Sequence, residues 1–197
     1  SDESGMIAVF LGSQIGPSQF PSKIIGLIEG DSNANFGHQI VVADIDNDGE
    51  DEVFAGAWRL DHDGDTNNGM VLGFDEIDFD TPTTLLNAMD AKWQIIGDHY
   101  DLLGAGLNIT DYDNDGVLDV MVGSPYKSVY GTRDGAVLIF DGPSLLNSTE
   151  PLHVDDAFAT IAINGDNDWS RCGQKVIAIQ DVTGDNMDEV AGLHARF

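Results

Sequence analysis

The sequence predicts an all-β fold made of four-stranded antiparallel sheets, the blades of a β-propeller. Three observations support this: short apolar runs rich in Val, Ile and Phe, turn-forming residues between them, and self-similarity at a period of about 64 to 70 residues. Twelve runs occur, in groups of two, four, four and two. A β-sandwich does not need its successive strands to repeat in sequence, so blades explain the period better. One segment, 81–91, is predicted to be helical, because Thr-Pro-Thr-Thr can cap the apolar run that follows.

The groups of strands predict a single propeller region over residues 1–197. Residues 1–29 form a half blade, 30–96 and 97–164 form two full blades, and 165–197 form a second half blade. Propellers close with about four to eight blades. We therefore expect a partial propeller, completed either by a longer chain or by a second copy in a homodimer.

Composition limits the partners of this chain. Its 35 acidic and 8 basic residues give a formal charge of −27, which repels nucleic acid and anionic membranes. Divalent cations are the natural partners, because they neutralise crowded carboxylates. Cys172 is the only cysteine, which excludes an intrachain disulfide and a cysteine-based metal site. No apolar run of about 18 residues occurs and residues 1–5 show no secretion signal, so we expect no direct membrane insertion.

Three copies of the repeat carry an acidic loop with side-chain oxygens at positions 1, 3 and 5 and a carboxylate at position 9. In such a loop these oxygens and the backbone carbonyl of position 7 point toward one centre. Hard oxygen ligands at about 2.3–2.6 Å suit Ca²⁺ better than Mg²⁺. The predicted ligands are Asp44, Asp46, Asp48, Glu50 and Glu52; Asp111, Asp113, Asp115, Val117 and Asp119; and Asp181, Thr183, Asp185, Met187 and Glu189. We therefore expect about three structural calcium ions.

Position 6 of each loop must turn sharply. Gly49 and Gly116 occupy it in the first two loops, and glycine adopts the left-handed backbone conformation at little cost. The third loop has Asn186, the next most suitable residue. We therefore expect the first two loops to be complete cages and 181–189 to bind calcium most weakly.

Two other interpretations of these loops were weighed. An EF-hand requires a bidentate Glu at position 12 and flanking helices, but position 12 is Ala55, Val122 and Gly192. A single Asp/Asn/Gly run is equally well explained as a solvated turn. Three such runs at equivalent positions of the repeat, each with an acid at position 9, favour calcium-binding loops. A fourth acidic stretch, 61–69, has glycine at position 9 and is predicted to be a long polar hairpin.

The flanking residues resemble the FG-GAP repeats of integrin α-subunit propellers and their bacterial relatives. Phe36-Gly37, the loop 44–52 and Gly56-Ala57 match the Phe-Gly, calcium-loop and Gly-Ala-Pro pattern. The second unit keeps Gly104, the loop 111–119 and Gly123-Ser124-Pro125, and the departures are Leu103 and Cys172 for Phe, Trp58 for Pro, and Leu193 after Ala191-Gly192. The resemblance implies calcium loops that join the first and second strands of each blade, on one face.

The resemblance also implies that a protein or glycan ligand binds the opposite face. Its loops are 58–68, 98–102, 125–134 and 166–172, and they carry residues favoured at interfaces: Trp58, Arg59, His62, His99, Tyr100, Tyr126, Tyr130, Arg133, Trp169 and Arg171. The alternative is that Trp58 and Trp169 pack between blades, as expected of Trp93 in its strand. His38 and Cys172 are expected to pack at blade edges.

Two functions follow from the sequence. The first is a non-catalytic, calcium-rigidified scaffold for adhesion or ligand recognition, secreted or at the cell surface, because no catalytic motif occurs. The alternative comes from the resemblance, because similar propellers occur in polysaccharide lyases and in a glycan-anchor phospholipase. It is part of a secreted carbohydrate-active enzyme, of polysaccharide lyase or phospholipase type, or a lectin-like binder. His99 with Asp101, or His62 with Asp63, would supply acid–base groups. Convergence of a His, a Tyr and an Arg in one pocket would favour the enzyme.

Overall fold

The structure is a computed structural model that describes residues 3–10, 24–75, 84–162 and 169–193. Its strands are β1 (Met6–Phe10), β2 (Ile24–Glu29), β3 (Ile40–Ala43), β4 (Glu52–Ala57), β5 (Met70–Phe74), β6 (Thr84–Asn87), β7 (Trp93–Ile96), β8 (Gly106–Thr110), β9 (Asp119–Ser124), β10 (Ala136–Phe140), β11 (Leu152–His153), β12 (Ala159–Ala162), β13 (Lys175–Ile179) and β14 (Glu189–Leu193). Within these ranges helix is confined to α1 (Gly142–Leu146) and short 3-10 turns such as Ala88–Asp90 and Val154–Asp156.

The strands form antiparallel sheets with the topology of propeller blades. One meander runs β3-β4-β5-β7 and the next runs β8-β9-β10-β12, each in chain order from its inner to its outer strand. β1 pairs with β2, and β13 pairs with β14, also antiparallel. The predicted all-β class and the grouping of twelve strands as two, four, four and two are confirmed.

Two further strands, β6 and β11, come from insertions between the third and fourth strands of a blade. β6 pairs parallel with β2, and β11 pairs parallel with β7. Each insertion thus adds an outer strand to the sheet that precedes it in the chain, covering an edge that would otherwise be unpaired.

The prediction of a helix over 81–91 is wrong for residues 84–91, and 81–83 lie outside the described residues. This segment forms β6 and the turn Ala88–Asp90. The free edge of β2 supplies hydrogen-bond partners for its backbone, and Leu86 and Ala88 pack in the apolar core. Tertiary pairing therefore overrides the local capping signal.

The core lies between neighbouring sheets. Every residue of β5, β9 and β10 is buried. Apart from Asp119 and Ser124 at the ends of β9, these strands are continuously apolar instead of alternating. Phe54 and Trp93 stack with ring centroids 5.8 Å apart inside this core. The expected packing of Trp93 in its strand is confirmed.

Neighbouring blades meet through glycine backbone. A Cβ on Gly56 would lie 2.1 Å from the carbonyl oxygen of Gly104, and a Cβ on Gly123 would lie 1.8 Å from that of Gly173. The next-to-last residue of the second strand of one blade, a glycine, therefore contacts the glycine near the start of the next blade, and only glycine fits at these positions. Cys172, beside this contact, is buried as expected and bridges to Gly135.

Candidate metal centres and the opposite face

Each acidic loop joins the first and second strands of its blade, and all three therefore lie at the same ends of the strands. They connect β3 to β4, β8 to β9, and β13 to β14. The placement agrees with the predicted topology of the loops. Position 9 of each loop is the first residue of the second strand, where pairing with the neighbouring strand holds the backbone.

The three loops repeat the same hydrogen bonds. The carboxylate at position 1 accepts from the N–H of position 6, and the carboxylate at position 9 accepts from the N–H of position 2. The donor–acceptor distances are 3.1 Å for Gly49 to Asp44, 3.1 Å for Gly116 to Asp111, 3.0 Å for Asn186 to Asp181, and 2.8 Å for Ile45 to Glu52, Tyr112 to Asp119 and Val182 to Glu189. The predicted ligands thus close one and the same turn in each blade.

Position 6 is left-handed in all three loops, as predicted. Its φ is +98° at Gly49, +93° at Gly116 and +69° at Asn186. Position 4 is left-handed as well, which the sequence reasoning missed: Asn47, Asn114 and Gly184 have φ values of +61°, +60° and +80°. The signal was present, because Asn and Gly are the residues that adopt this conformation most readily.

The carboxylates gather as a metal site requires. Three carboxylate oxygens lie within 4.8 Å of one another in each of the sets Asp44, Asp46 and Asp48; Asp111, Asp113 and Asp115; and Asp181, Asp185 and Glu189. The residues at position 7, Glu50, Val117 and Met187, donate their N–H groups to the carboxylate at position 5.

A residue outside the motif, Asp75, joins the first site. It follows β5 and lies with Asp46 and Glu52 in a further group of three carboxylates. The available signal was the recurrence of an aspartate directly after the third strand, since Asp141 follows β10 in the next blade. There Asp141 accepts the N–H of Ser144 at the start of α1.

The position-9 carboxylates of the first two loops, Glu52 and Asp119, are buried, whereas Glu189 of the third loop is half-buried. Burial raises the pKa of Glu52, and the nearby Asp46 and Asp75 add to this against the hydrogen bond from Ile45. Burial likewise raises the pKa of Asp119 to about 6, although both its oxygens accept N–H groups, from Tyr112 and Gly142 at 2.8 Å. Asp119 does not join the group of Asp111, Asp113 and Asp115.

Two oxygens of the first loop are buried without a partner. Among the described residues, Asp44 Oδ1 and Glu52 Oε1 receive no hydrogen bond and are shielded from water. A buried carboxylate oxygen without a donor is costly, and a cation bound among the carboxylates of this loop would offset that cost. Asp46 belongs both to the group of Asp44 and to the group of Glu52. The donor set is all oxygen and predominantly anionic, so these residues fit a hard divalent cation.

The stretch 61–69 is a hairpin, as predicted. His62 and Asp65 form an antiparallel bridge, and Gly69 donates its N–H to Leu60 at 3.1 Å. The buried side chain of Asn68 accepts the N–H of His62 at 3.0 Å. The polar residues of this stretch therefore close a turn.

At the opposite ends of the strands lies a cavity of about 480 Å³. Its wall contains Leu102, Ala105 and Pro125 together with polar and aromatic side chains: His38, Trp58, Tyr126, Arg171, Gln174 and Lys175. The Arg171 guanidinium lies 5.1 Å from the centre of the Tyr126 ring, and Arg133 lies 4.7 Å from the rings of both Tyr126 and Trp169. This basic and aromatic cavity is called the basic cavity below.

The aromatic residues of this end occupy different positions from those expected. Trp169 is 48% exposed, so packing between blades is wrong for it, and Trp58 is half-buried at the cavity wall. His38, expected to pack at a blade edge, is exposed and lines the cavity, with its ring 5.6 Å from that of Trp58.

The predicted acid–base pairs form only in part. His62 lies 3.4 Å from Asp63, but His99 lies 3.4 Å from Asp65 instead of pairing with Asp101. Asp101 is buried and accepts a hydrogen bond from Lys127 at 3.1 Å. The convergence of a His, a Tyr and an Arg in one pocket does occur, at the basic cavity, with His38, Tyr126 and Arg171.

Comparison with known proteins identifies the repeat. Residues 103–140, which run from Leu103 through the second acidic loop to the end of β10, match the family model of the FG-GAP repeat. The chain therefore contains an FG-GAP repeat. The Gly104–Gly56 and Gly173–Gly123 contacts show how Leu103-Gly104 and Cys172-Gly173 pack against the second strand of the preceding unit.

The chain is also similar to phosphatidylinositol-glycan-specific phospholipase D of Rattus norvegicus. The two are 28% identical over 149 residues, which is 75% of this chain and 17% of the relative. The chain thus spans less than a fifth of the length of the relative that it matches. No helix in the described part of the chain is long and apolar enough to cross a membrane.

Proposed function

We propose that this chain is a calcium-binding, non-catalytic β-propeller scaffold for extracellular adhesion or ligand recognition. About three Ca²⁺ ions, one in each acidic loop, hold the turn between the first and second strands of a blade. The observation that carries the proposal is the presence of two buried oxygens without a donor, Asp44 Oδ1 and Glu52 Oε1, in a loop whose hydrogen bonds recur in the other two.

The proposed role of the ion is structural. Bound calcium would neutralise carboxylates that otherwise repel one another, and it would bind the folded loop but not the unfolded chain. The predicted side-chain ligands in the first loop are Asp44, Asp46, Asp48 and Glu52, and Asp75 adds a carboxylate at its edge. Because each loop fixes a strand-to-strand turn, the ions would stabilise the blades that form the opposite face.

The recognition role is proposed for the opposite ends of the strands. There the aromatic residues Tyr100, Tyr130 and Trp169 are 41%, 64% and 48% exposed. Exposed aromatic residues and arginines are common in binding interfaces. The extracellular setting suits this proposal, because free calcium is abundant there and weak sites of this type would be filled.

Calcium titration during thermal unfolding tests the proposal. A single site saturated at about a hundred times its Kd adds about 2.7 kcal/mol to the free energy of unfolding, or about 5–10 °C in Tm for a chain of this size. We expect Tm to rise with calcium, to fall on chelation, and to recover when calcium is restored. Magnesium at the same concentration serves as the control and should give a smaller shift. An unchanged Tm after chelation would contradict the proposal.

The second candidate is an enzyme of the carbohydrate-active or phospholipase type. The observation that favours it is the convergence of His38, Tyr126 and Arg171 on the basic cavity, and the similarity to a phospholipase D concurs. A screen of acidic polysaccharides and of glycosylated phosphatidylinositol, with and without calcium, would detect turnover. Turnover that is lost in Tyr126→Phe and His38→Ala would replace the non-catalytic proposal.

A further inference from the structure

The basic residues of this acidic chain are unevenly neutralised. Arg133, Arg171 and Lys175 have no carboxylate within ion-pair distance in the described ranges, and Arg171 and Lys175 line the basic cavity. The other described basic side chains each pair with Asp or Glu: Arg59 with Glu3, Lys92 with Asp75, and Lys127 with Asp98 and Asp101. In a chain with a formal charge of −27, three cations at one end of the blades without a carboxylate partner among the described residues indicate a place kept positive.

Aromatic rings hold the two arginines in place without neutralising them. Arg171 lies over Tyr126, and Arg133 lies against both Tyr126 and Trp169. Such cation–π contacts orient a guanidinium while leaving its N–H groups free to bind an anion. The donors are therefore positioned before any ligand arrives, which reduces the entropy lost on binding.

The backbone around the cavity is held in a costly conformation. The units open at Phe36, Leu103 and Cys172. In each unit the residues one and three positions before this opening residue have a left-handed backbone conformation. In the first unit these residues are Asn33 and Asn35. In the other units bulkier residues keep the same conformation: Tyr100 and Leu102, with φ +62° and +57°, and Trp169 and Arg171, with φ +74° and +56°. Each such residue costs roughly 1 kcal/mol or more. The fold thus places Leu102 and Arg171 at the cavity despite that cost.

We propose that the basic cavity binds a sugar acid, a sugar ring that carries a carboxylate. This proposal deepens the recognition role proposed above and rests on it. The volume of about 480 Å³ lies in the range of small-ligand sites and exceeds what a bare anion needs. Arg171 and Lys175 bind the carboxylate, His38 and Gln174 bind ring hydroxyls, and Trp58 provides an apolar face for the ring.

Isothermal titration of the full chain with glucuronate, in excess calcium, tests the proposal, and glucose is the matched neutral ligand. We expect saturable binding of glucuronate that weakens as salt concentration rises. Glucose should bind at least about tenfold more weakly, because it lacks the charge-assisted hydrogen bond. Arg171→Gln should weaken glucuronate binding about tenfold or more. Lys92→Gln, which removes the same charge outside the cavity, should leave it unchanged.

A second variant and a second measurement keep the test decisive. Lys175→Gln alters an exposed side chain at the start of β13 and should also weaken glucuronate binding, even if Arg171→Gln perturbs its left-handed position. The calcium-dependent Tm is measured for each protein first. A calcium response without glucuronate binding overturns the cavity proposal alone, as do equal affinities for glucose and glucuronate or unchanged affinity in both variants. Glucuronate binding without a calcium response supports the cavity and overturns the calcium scaffold.

Discussion

Two buried carboxylates, Glu52 in the first acidic loop and Asp134 in the loop 125–134, close turns at opposite ends of the blades. Glu52 is 0% exposed and Asp134 is 3% exposed. Glu52 accepts one N–H, from Ile45, and leaves its second oxygen without a donor. Asp134 accepts three, from Val129, Tyr130 and Gly131, at 2.9, 2.8 and 3.0 Å.

The pKa values of these two carboxyls move in opposite directions. Burial raises the pKa of Glu52, with Asp46 and Asp75 adding to it, because a single hydrogen bond does not offset the loss of water. Burial also acts to raise the pKa of Asp134, but the three N–H donors outweigh it and the pKa falls below its ordinary value of 3.8. Burial alone therefore does not decide the state of a carboxylate. Asp134 closes its turn with protein donors, whereas one oxygen of Glu52 is left for the cation that we propose.

The largest expected effect is a difference between Glu52 and Asp134 variants in how much calcium raises the free energy of unfolding. Glu52→Gln should lose the calcium-linked stabilisation of its loop, about 2.7 kcal/mol at a hundred times the Kd. In the metal-free protein the same variant should be neutral or more stable, because it removes a buried charge that has a single hydrogen-bond donor and no cationic partner in the described residues. Chemical denaturation with and without a chelator measures both values.

Asp134→Asn is the matched control for that experiment. Its cost should be the same with and without calcium, since its donors belong to the protein backbone. If calcium stabilised the two variants equally, the proposed difference between the two turns would be wrong.

The next effect concerns pH. Because the pKa of Asp134 is lowered on folding, its ionised form contributes stability above the ordinary pKa of 3.8, and that contribution is lost as the pH falls through the folded pKa. At pH 7, Asp134→Asn should cost about 2 kcal/mol, the magnitude of hydrogen bonds to a charged group. In chelated protein the cost should shrink as the pH falls below about 4. A cost that does not change with pH would show that the charge of Asp134 is not what holds the loop.

The strand groups and the acidic loops were predictable because they depend on short-range patterns. Apolar runs four to six residues long and the Asp spacing of 44–52 and 111–119 recur at a fixed period. Asp75 was not predicted, because nothing in the sequence around a single aspartate after β5 marks it as a ligand. Only the antiparallel pairing of β4 with β5 brings it close to Glu52. β6 was missed for a related reason, since its partner, the edge of β2, is distant in sequence.

The basic cavity was predictable as a region but not as a site. The loops that carry Trp58, Tyr126 and Arg171 were assigned to one face from the resemblance to FG-GAP repeats. His38, Gln174 and Lys175 lie in or beside the innermost strands, and only the arrangement of successive blades brings them to the same wall. The left-handed conformation of Arg171 could not be predicted from its residue type, because arginine does not favour it. The repeated backbone geometry imposes it, and the first unit has Asn33 and Asn35 in the same conformation.

Calcium stoichiometry measured by equilibrium dialysis tests the central claim most directly. The account predicts about three ions per chain of the unaltered protein, with the weakest in the loop 181–189, where all six residues from Asp181 to Asn186 are exposed. It predicts one ion fewer in Glu52→Gln and no change in Asp134→Asn. An absence of bound calcium in the unaltered protein, or an unchanged stoichiometry in Glu52→Gln, would contradict it.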